Sequence, residues 1–129
     1  MAGTIVADTI QDGAGNSTSM DNAIYGSAKA WVNFNGSTGA IRKSYNVSSI
    51  TKPSTGTYTV NFTNALADAN YSLVASCAPA YGVNSAFADV YNNNSGAYVG
   101  TTTAAYVFTR ALNTQAALDT TAVAVAVFD

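Results

Sequence analysis

Short segments in which apolar and polar residues alternate constrain the fold of this chain more than any other feature. In the clearest one, residues 57–63, the odd positions are Thr or Asn and the even positions are Tyr58, Val60 and Phe62. Side chains alternate between the two faces of a β-strand, so the pattern predicts a strand with one buried face and one wet face. Residues 30–35 repeat the pattern.

About eight such segments follow one another at a spacing of roughly ten residues, separated by turns rich in Gly, Asn and Pro. The sequence therefore predicts an all-β fold, an antiparallel β-sandwich or jelly-roll-like barrel of about eight strands. No segment predicts a helix. The expected strands are 4–10, 30–35, 41–45 continuing past a bend to 47–50, 57–63, 71–77, 86–91, 104–112 and 121–128, with a turn at 52–56.

The last expected strand is apolar on both faces, since Val123, Val125 and Val127 alternate with alanines. A strand of this kind is covered on both sides. Either a central position in a sheet or an interface between subunits would provide that cover, and we expect the chain to form oligomers.

The charge balance argues against several partners. Only 9% of the residues are charged, and the net charge is −2, with five scattered cations. Proteins that bind nucleic acid carry a basic surface, so we do not expect nucleic acid as a partner of this chain. No stretch is long and apolar enough to insert into a membrane.

Few residues could perform catalysis. The chain has no His and no Glu, so the usual bases of serine and cysteine triads are missing. We predict no catalytic residues, no cofactor and no metal: zinc lacks ligands, and the spacing of Asp8, Asp12, Asn16 and Asp21 matches no EF-hand calcium loop. A glycan depolymerase built on a pair of Asp residues is the enzymatic alternative.

Cys77 is the single cysteine, which excludes an intrachain disulfide, and it lies in an apolar run that predicts a buried, inert thiol. The N-terminus lacks the basic start and apolar stretch of a signal peptide. We therefore expect synthesis in a cytosol and a final location reached by assembly rather than by secretion.

The chain divides into two parts of different character. Residues 1–27 form a predicted extended N-terminal arm, in which a short apolar strand precedes a polar, turn-rich stretch, and residues 28–129 form the sandwich. Because the arm cannot bury much by itself, Ile5, Val6 and Ile10 are predicted contacts for anchoring or oligomerisation.

Three tyrosines fall in or beside loops rich in Gly and Asn: Tyr81, Tyr91 and Tyr98. Their rings could stack on sugars while neighbouring amides donate hydrogen bonds, or they could cover the ends of the sandwich. They are therefore predicted partner contacts as well.

Residues 27–36, 41–50 and 56–71 resemble a module of tail-fibre and other virion structural proteins of tailed bacteriophages, notably marine and cyanobacterial phages. Residues 3–19 are similar to the leader that often precedes it. The resemblance implies a virion protein that forms a homotrimer and contacts other capsid or tail proteins. It also implies that the Trp and Tyr positions are core and turn elements. It provides no catalytic residue.

The leading hypothesis is a non-enzymatic short tail-fibre or appendage-like component of a virion, assembled through its N-terminal arm. A capsid decoration protein on the phage head is the first alternative. A carbohydrate-binding module for host-surface glycans, acting through the loop tyrosines, is the second.

Overall fold

The computed structural model describes residues 3–78, 86–90, 92–93, 97–98 and 100–129. Twelve strands and one short helix lie within these residues. In chain order they are β1 Thr9–Gln11, β2 Ser17–Ser19, α1 Met20–Tyr25, β3 Ala30–Phe34, β4 Ile41–Tyr45, β5 Val47–Ser54, β6 Thr57–Phe62, β7 Ser72–Ala78, β8 Ala86–Val90, β9 Asn92–Asn93, β10 Ala97–Tyr98, β11 Ala104–Ala111 and β12 Ala122–Phe128.

Eight of these strands form two four-stranded sheets. Sheet I has the order β5-β6-β11-β8, and sheet II has the order β4-β3-β12-β7. Every neighbouring pair in the two sheets is antiparallel. The prediction of an all-β antiparallel sandwich is confirmed: seven of the eight expected strands lie in these two sheets, and the one expected over residues 41–50 forms two strands there, β4 and β5. The remaining strands pair as two small hairpins, β1 with β2 and β9 with β10.

The core lies between the two sheets and is built from the alternating residues that the sequence marked as apolar. Phe34 of sheet II meets Tyr58 of sheet I edge to face, with ring centroids 5.0 Å apart. The core residues are Ala30, Val32, Phe34, Val47, Tyr58, Val60, Phe62, Leu66, Tyr71, Ala105, Val107, Val123, Val125 and Val127. Burial of this surface is the main stabilising contribution to the fold.

The chain changes sheets between β4 and β5. The strand expected over residues 47–50 is present beyond a bend at Asn46, but it is not a continuation within one sheet, because β4 belongs to sheet II and β5 to sheet I. Asn46 makes the corner with a φ of 53°, in the left-handed region that Asn tolerates better than most residues. Its side-chain Oδ1 accepts the amide of Asn64 at 2.8 Å, and its Nδ2 donates to the Lys29 carbonyl at 3.1 Å.

The turn expected over residues 52–56 is shorter than predicted, because β5 continues through Pro53 to Ser54. Since β5 is an edge strand of sheet I, a proline there need not remove a ladder hydrogen bond. Gly56 turns the chain with a φ of 64°, and a Cβ at this position would lie 2.5 Å from the Thr109 carbonyl oxygen. The position thus requires glycine for its conformation and for its close approach to β11.

The N-terminal segment differs most from expectation. The predicted strand over residues 4–10 is wrong for residues 4–8, and only Thr9 and Ile10 lie in β1. Sequence analysis also missed helix α1, whose six residues are too few for helix propensity to reveal. Its last carbonyls are bound from downstream, by the Ser27 hydroxyl on Ala23 and the Lys29 ammonium on Ile24. Such contacts satisfy groups that a helix end leaves unpaired.

The first and last strands of the sandwich are neighbours in sheet II. Strand β3 pairs antiparallel with β12, so that Ala30 lies opposite Val127. The Lys29 amide extends this ladder by donating to the Val127 carbonyl at 2.8 Å. The chain therefore enters and leaves the sandwich at one place.

Candidate binding surfaces

Strand β12 occupies a central position in sheet II, between β3 and β7. Its valines face the core, and its outward alanines are half-buried. The strand therefore has the central position that was one of the two expected explanations, and the core covers its inner face, whereas the outward alanines are only half-buried. Its outer face is the feature that needs a functional explanation.

Two rows of side chains cross the outer face of sheet II, one residue from each strand. The register places Tyr45, Trp31, Ala126 and Val74 in the first row, and Lys43, Asn33, Ala124 and Ser76 in the second. Tyr45 is 58% exposed and Val74 is 61% exposed. Apolar surface thus runs across the sheet, with polar groups beside it.

A shallow groove lies over β12 on this face, with a volume of about 290 Å³. We call it the Trp31 trench. Its floor is formed by Ala124 and Ala126, one wall by Trp31 and Asn33 of β3, and the other by residues 74–76 of β7. The walls are two strand spacings apart, roughly 9–10 Å between backbones. The small alanine side chains therefore make the space between them.

Trp31 is not a core residue, contrary to the expectation from the resemblance. It is half-buried and faces outward, opposite Tyr45 on one side and Ala126 on the other. The signal was present in the sequence, because Trp31 alternates with the buried Ala30 and Val32. Periodicity places it on the same face as Asn33, whereas the resemblance was a misleading guide to its burial.

Arg42 crosses from β4 toward the trench. Its Nη1 donates to Asn33 Oδ1 and to the Phe34 carbonyl at 3.2 Å each, and its Nη2 donates to the Thr121 carbonyl at 2.6 Å. These bonds hold the guanidinium beside the trench. They also occupy the Asn33 oxygen, which leaves its amide NH₂ group to donate to a ligand.

The predicted contact residues of the arm are exposed. Ile5 is 84% exposed, Val6 is 95% exposed and Ile10 is 47% exposed. Ile5 and Val6 lie in a stretch without regular structure, whereas Ile10 lies in hairpin strand β1. Ile24 of helix α1 adds a fourth apolar side chain, 48% exposed, which the sequence analysis did not select.

The carboxylate of Asp12, one of the calcium candidates, closes the β1–β2 hairpin instead. Its Oδ1 accepts the amides of Ala14 and Asn16 at 2.9 Å each, and its Oδ2 accepts the Asn16 side-chain amide at 2.9 Å. The side-chain bond from Asn16, followed by the backbone bond from Asn16, lowers the pKa of Asp12. These bonds explain why an aspartate occupies position 12 in the turn. Within the described part of the chain, no cluster of three or more His, Cys, Asp or Glu side chains is placed to hold a metal ion.

The loop tyrosines are only partly covered by the structure. Tyr81 and Tyr91 lie outside the described residues, and Tyr98 ends strand β10. Their predicted role in partner contact stays a prediction.

The outer face of sheet I carries a second aromatic group. Tyr106, Phe108 and Arg110 lie on one side of β11 and are half-buried. The Phe108 ring packs edge to face on Phe87 at 6.0 Å, and the Arg110 guanidinium lies 4.7 Å from the centroid of the Phe108 ring. These side chains pack on one another, which distinguishes this face from the trench.

One end of the sandwich contains a hydrogen-bonded cluster around Tyr58 and Asp119. The Tyr58 hydroxyl donates to the Gly36 carbonyl at 2.9 Å and lies 3.4 Å from Asp119 Oδ1. Asp119 also accepts the Gly56 amide at 2.8 Å and pairs with Lys52 at 2.9 Å. Every polar group of this cluster named here has a partner, which makes its role structural.

Cys77 is half-buried and packs against the core, where burial raises the pKa of its thiol.

Among the residues that the structure describes, no helix has the length and hydropathy needed to cross a membrane.

Comparison with known proteins gives one likeness in three dimensions. No family model and no curated protein matches the chain. The fold is similar to part of the phiAB6 tailspike, a phage protein solved in complex with three-repeated oligosaccharides of Acinetobacter baumannii surface polysaccharide. The TM-score is 0.51 at 19% sequence identity, and the match covers 93% of this chain and 22% of the tailspike chain. At this identity the likeness establishes a shared fold, that of a segment found within a phage tailspike.

Proposed function

We propose that this chain is a non-enzymatic structural component associated with the tail of a phage particle, of the short tail-fibre or appendage type. The observation that carries the proposal is the likeness to a tailspike segment over 93% of the chain. The sequence resemblance to phage tail-fibre modules points the same way. Assembly as a homotrimer and an origin among marine or cyanobacterial phages belong to the proposal.

Exposure in the N-terminal segment supports an anchoring role for residues 1–27. Ile5 and Val6 are adjacent and almost fully exposed. Branched apolar side chains in water gain free energy when a partner covers them, roughly 1.5–3 kcal/mol for full burial of each. A neighbouring virion protein or a second copy of the arm would provide that cover.

The chemistry of the acids supports a non-enzymatic role. A glycosidase needs two carboxylates across a groove, and none of the residues that line the Trp31 trench is acidic. Asp12 and Asp119 are held in structural hydrogen bonds, in the hairpin and at the end of the sandwich. Neither residue lines the Trp31 trench.

Antibodies raised against residues 28–129 test the location on purified virions by immunogold electron microscopy. We expect labelling at the tail. Labelling over the capsid lattice would replace the proposal with the decoration protein, and particles without label at either place would exclude a virion component.

Complementation with variants tests the arm. A chain with Ile5→Asp and Val6→Asp should fold normally but fail to enter particles, because two charges cannot be buried in an apolar contact. The matched control carries Thr4→Ser and Ala7→Ser, which change exposed neighbours without adding charge. Normal incorporation of the Asp variant would contradict anchoring through these residues.

A further inference from the structure

We infer that the Trp31 trench binds an acidic polysaccharide, with a sugar ring packed against Trp31 and its carboxylate directed toward Lys43 and Arg42. The residues that form it are other than the loop tyrosines predicted as partner contacts. The inference goes beyond the proposed tail location, because binding is a property of the isolated chain.

The shape of the trench suits a sugar chain. Alanines at 124 and 126 leave a channel that is open to solvent and walled by Trp31 and Val74. Tyr45 lies directly opposite Trp31 on the neighbouring strand, which extends the aromatic surface beyond the channel. A pyranose ring has apolar C–H faces and a polar rim, so it can pack on a ring and on methyl groups while its hydroxyls remain hydrogen-bonded.

Polar groups stand where the rim of such a ring would lie. Asn33 lies beside Trp31 on the same wall, and the bond from Arg42 to its oxygen leaves its NH₂ group as a donor. Ser76 lies on the opposite wall. A channel with an apolar floor and a few polar groups at its edges is typical of small-molecule sites.

The charges of this face indicate an anionic ligand. Lys43 lies in the second row beside Asn33, and the Arg42 guanidinium contacts Asn33. None of the eight side chains in the two rows is a carboxylate, although the chain as a whole has a net charge of −2. Positive charge is therefore concentrated at the trench, where it complements a uronate or another acidic sugar.

The same charges disfavour a two-fold pairing of this face with the same face of a second copy. A two-fold interface brings the same patch of each subunit together, so Lys43 and Arg42 of one copy would approach those of the other. Like charges brought together at an interface oppose association.

Fluorescence provides a direct measurement, because Trp31 is the single tryptophan of the chain. The purified full chain is first screened on an array of bacterial surface polysaccharides that includes uronate-containing and neutral members. The polysaccharides bound are then titrated while the emission of Trp31 is followed. We expect binding to acidic members, a shift in Trp31 emission at saturation, and weaker binding at higher salt.

Three variants test the geometry. Trp31→Ala should weaken binding about tenfold or more, because a stacking contact is lost. Ala124→Leu should block the channel while leaving the core side chains intact. Lys43→Ala should weaken binding to acidic polysaccharides and reduce its salt dependence. The matched control is Tyr106→Ala on the outer face of sheet I, which should bind as the parent does.

Several results would overturn the inference. These are binding only to neutral members, no binding to any member, and unchanged affinity in Ala124→Leu with an intact circular dichroism spectrum. Concentration-dependent dimers that dissociate in the Trp31→Ala and Ala124→Leu variants would assign the face to self-association instead. Failure of glycan binding would leave the tail location standing, since immunogold labelling measures that independently.

Discussion

At the scale of single residues, the buried hydroxyl of Tyr58 links the two sheets. Its ring packs on Phe34 of sheet II while its hydroxyl donates to the Gly36 carbonyl. Burial is the main reason that the pKa of Tyr58 is raised above its ordinary value of 10.0, and the nearby Asp119 carboxylate adds to the effect.

We expect Tyr58→Phe to lower the free energy of unfolding by about 1–2 kcal/mol, because the Gly36 carbonyl loses its partner in a buried place. The substitution should also change the response to alkali. In the unfolded chain Tyr58 loses its proton near pH 10, whereas the folded chain holds it to a higher pH. The contribution of Tyr58 to stability is therefore complete below pH 10 and is lost as pH rises through the raised value.

Urea unfolding of the parent chain and of Tyr58→Phe at pH 9 and pH 11 measures both effects. The parent should lose more stability over this interval than the variant does. Equal losses in the two proteins would show that Tyr58 does not titrate differently in the folded and unfolded states.

Single residues also show the limits of reasoning from the sequence. The alternation around Tyr58 and Val60 predicted their burial correctly. Residues two apart lie on the same face of a strand, and only one face of this strand is apolar. The resemblance assigned Trp31 to the core, although the two-residue period of strand β3 placed it on the outer face. The polar partners of Asp119 are tertiary contacts far away in the sequence, and those of Asp12 lie within four residues in a hairpin turn; the two-residue period encodes neither set.

At the scale of elements, the corner between β4 and β5 decides which strands belong to which sheet. The sequence predicted the strands here, but it did not predict the change of sheet. Asn46 provides the only local signal, since Asn is among the few residues other than glycine that adopt the left-handed conformation at low cost. That signal also marks ordinary turns, so the topology could not be derived from it.

Substitutions at Asn46 separate the conformation of the corner from its hydrogen bonds. Asn46→Gly keeps the backbone conformation and loses the side-chain bonds to Lys29 and Asn64, so we expect it to be less stable than the parent by about 1–2 kcal/mol. Asn46→Ala loses the same bonds and also strains the backbone, which should cost about 1 kcal/mol more.

Denaturant unfolding of the three proteins measures these differences. Asn70→Ala is the control, since it replaces an Asn in a loop outside the corner. If the Gly and Ala variants were equally stable, backbone strain at position 46 would not contribute, and the corner would depend on its hydrogen bonds alone.

At the scale of the whole molecule, the sequence divided the chain at residue 28, and this division is a prediction that can be measured. Among the residues whose burial the structure describes, the main core begins at Ala30. Deletion of residues 1–27 should therefore leave one cooperative thermal transition, with a midpoint within a few degrees of that of the full chain.

Differential scanning calorimetry of the truncated chain tests this expectation. A matched deletion of residues 122–129 removes the central strand of sheet II and should abolish the transition. Loss of the transition on removal of residues 1–27 would show that the N-terminal segment is part of the sandwich and not an independent arm.

Fold class was accessible from the sequence because the composition and the two-residue period are properties of the whole chain. The binding surface was less accessible, since the Trp31 trench joins side chains from β3, β7 and β12 that are far apart in sequence. The alanines at alternate positions of β12 predicted a strand covered on its outer face. In the structure their small side chains instead form the floor of the Trp31 trench.

The antiparallel pairing of β3 with β12 has a consequence for how the sandwich can be connected to other polypeptide segments. Its first and last strands are adjacent, and the Lys29 amide bonds the Val127 carbonyl. A short linker would suffice to join the two ends, so a circular permutant opened in a surface loop should retain every core contact. For the same reason the unit could be spliced into one loop of a larger carrier, projecting sideways with both connections at its base.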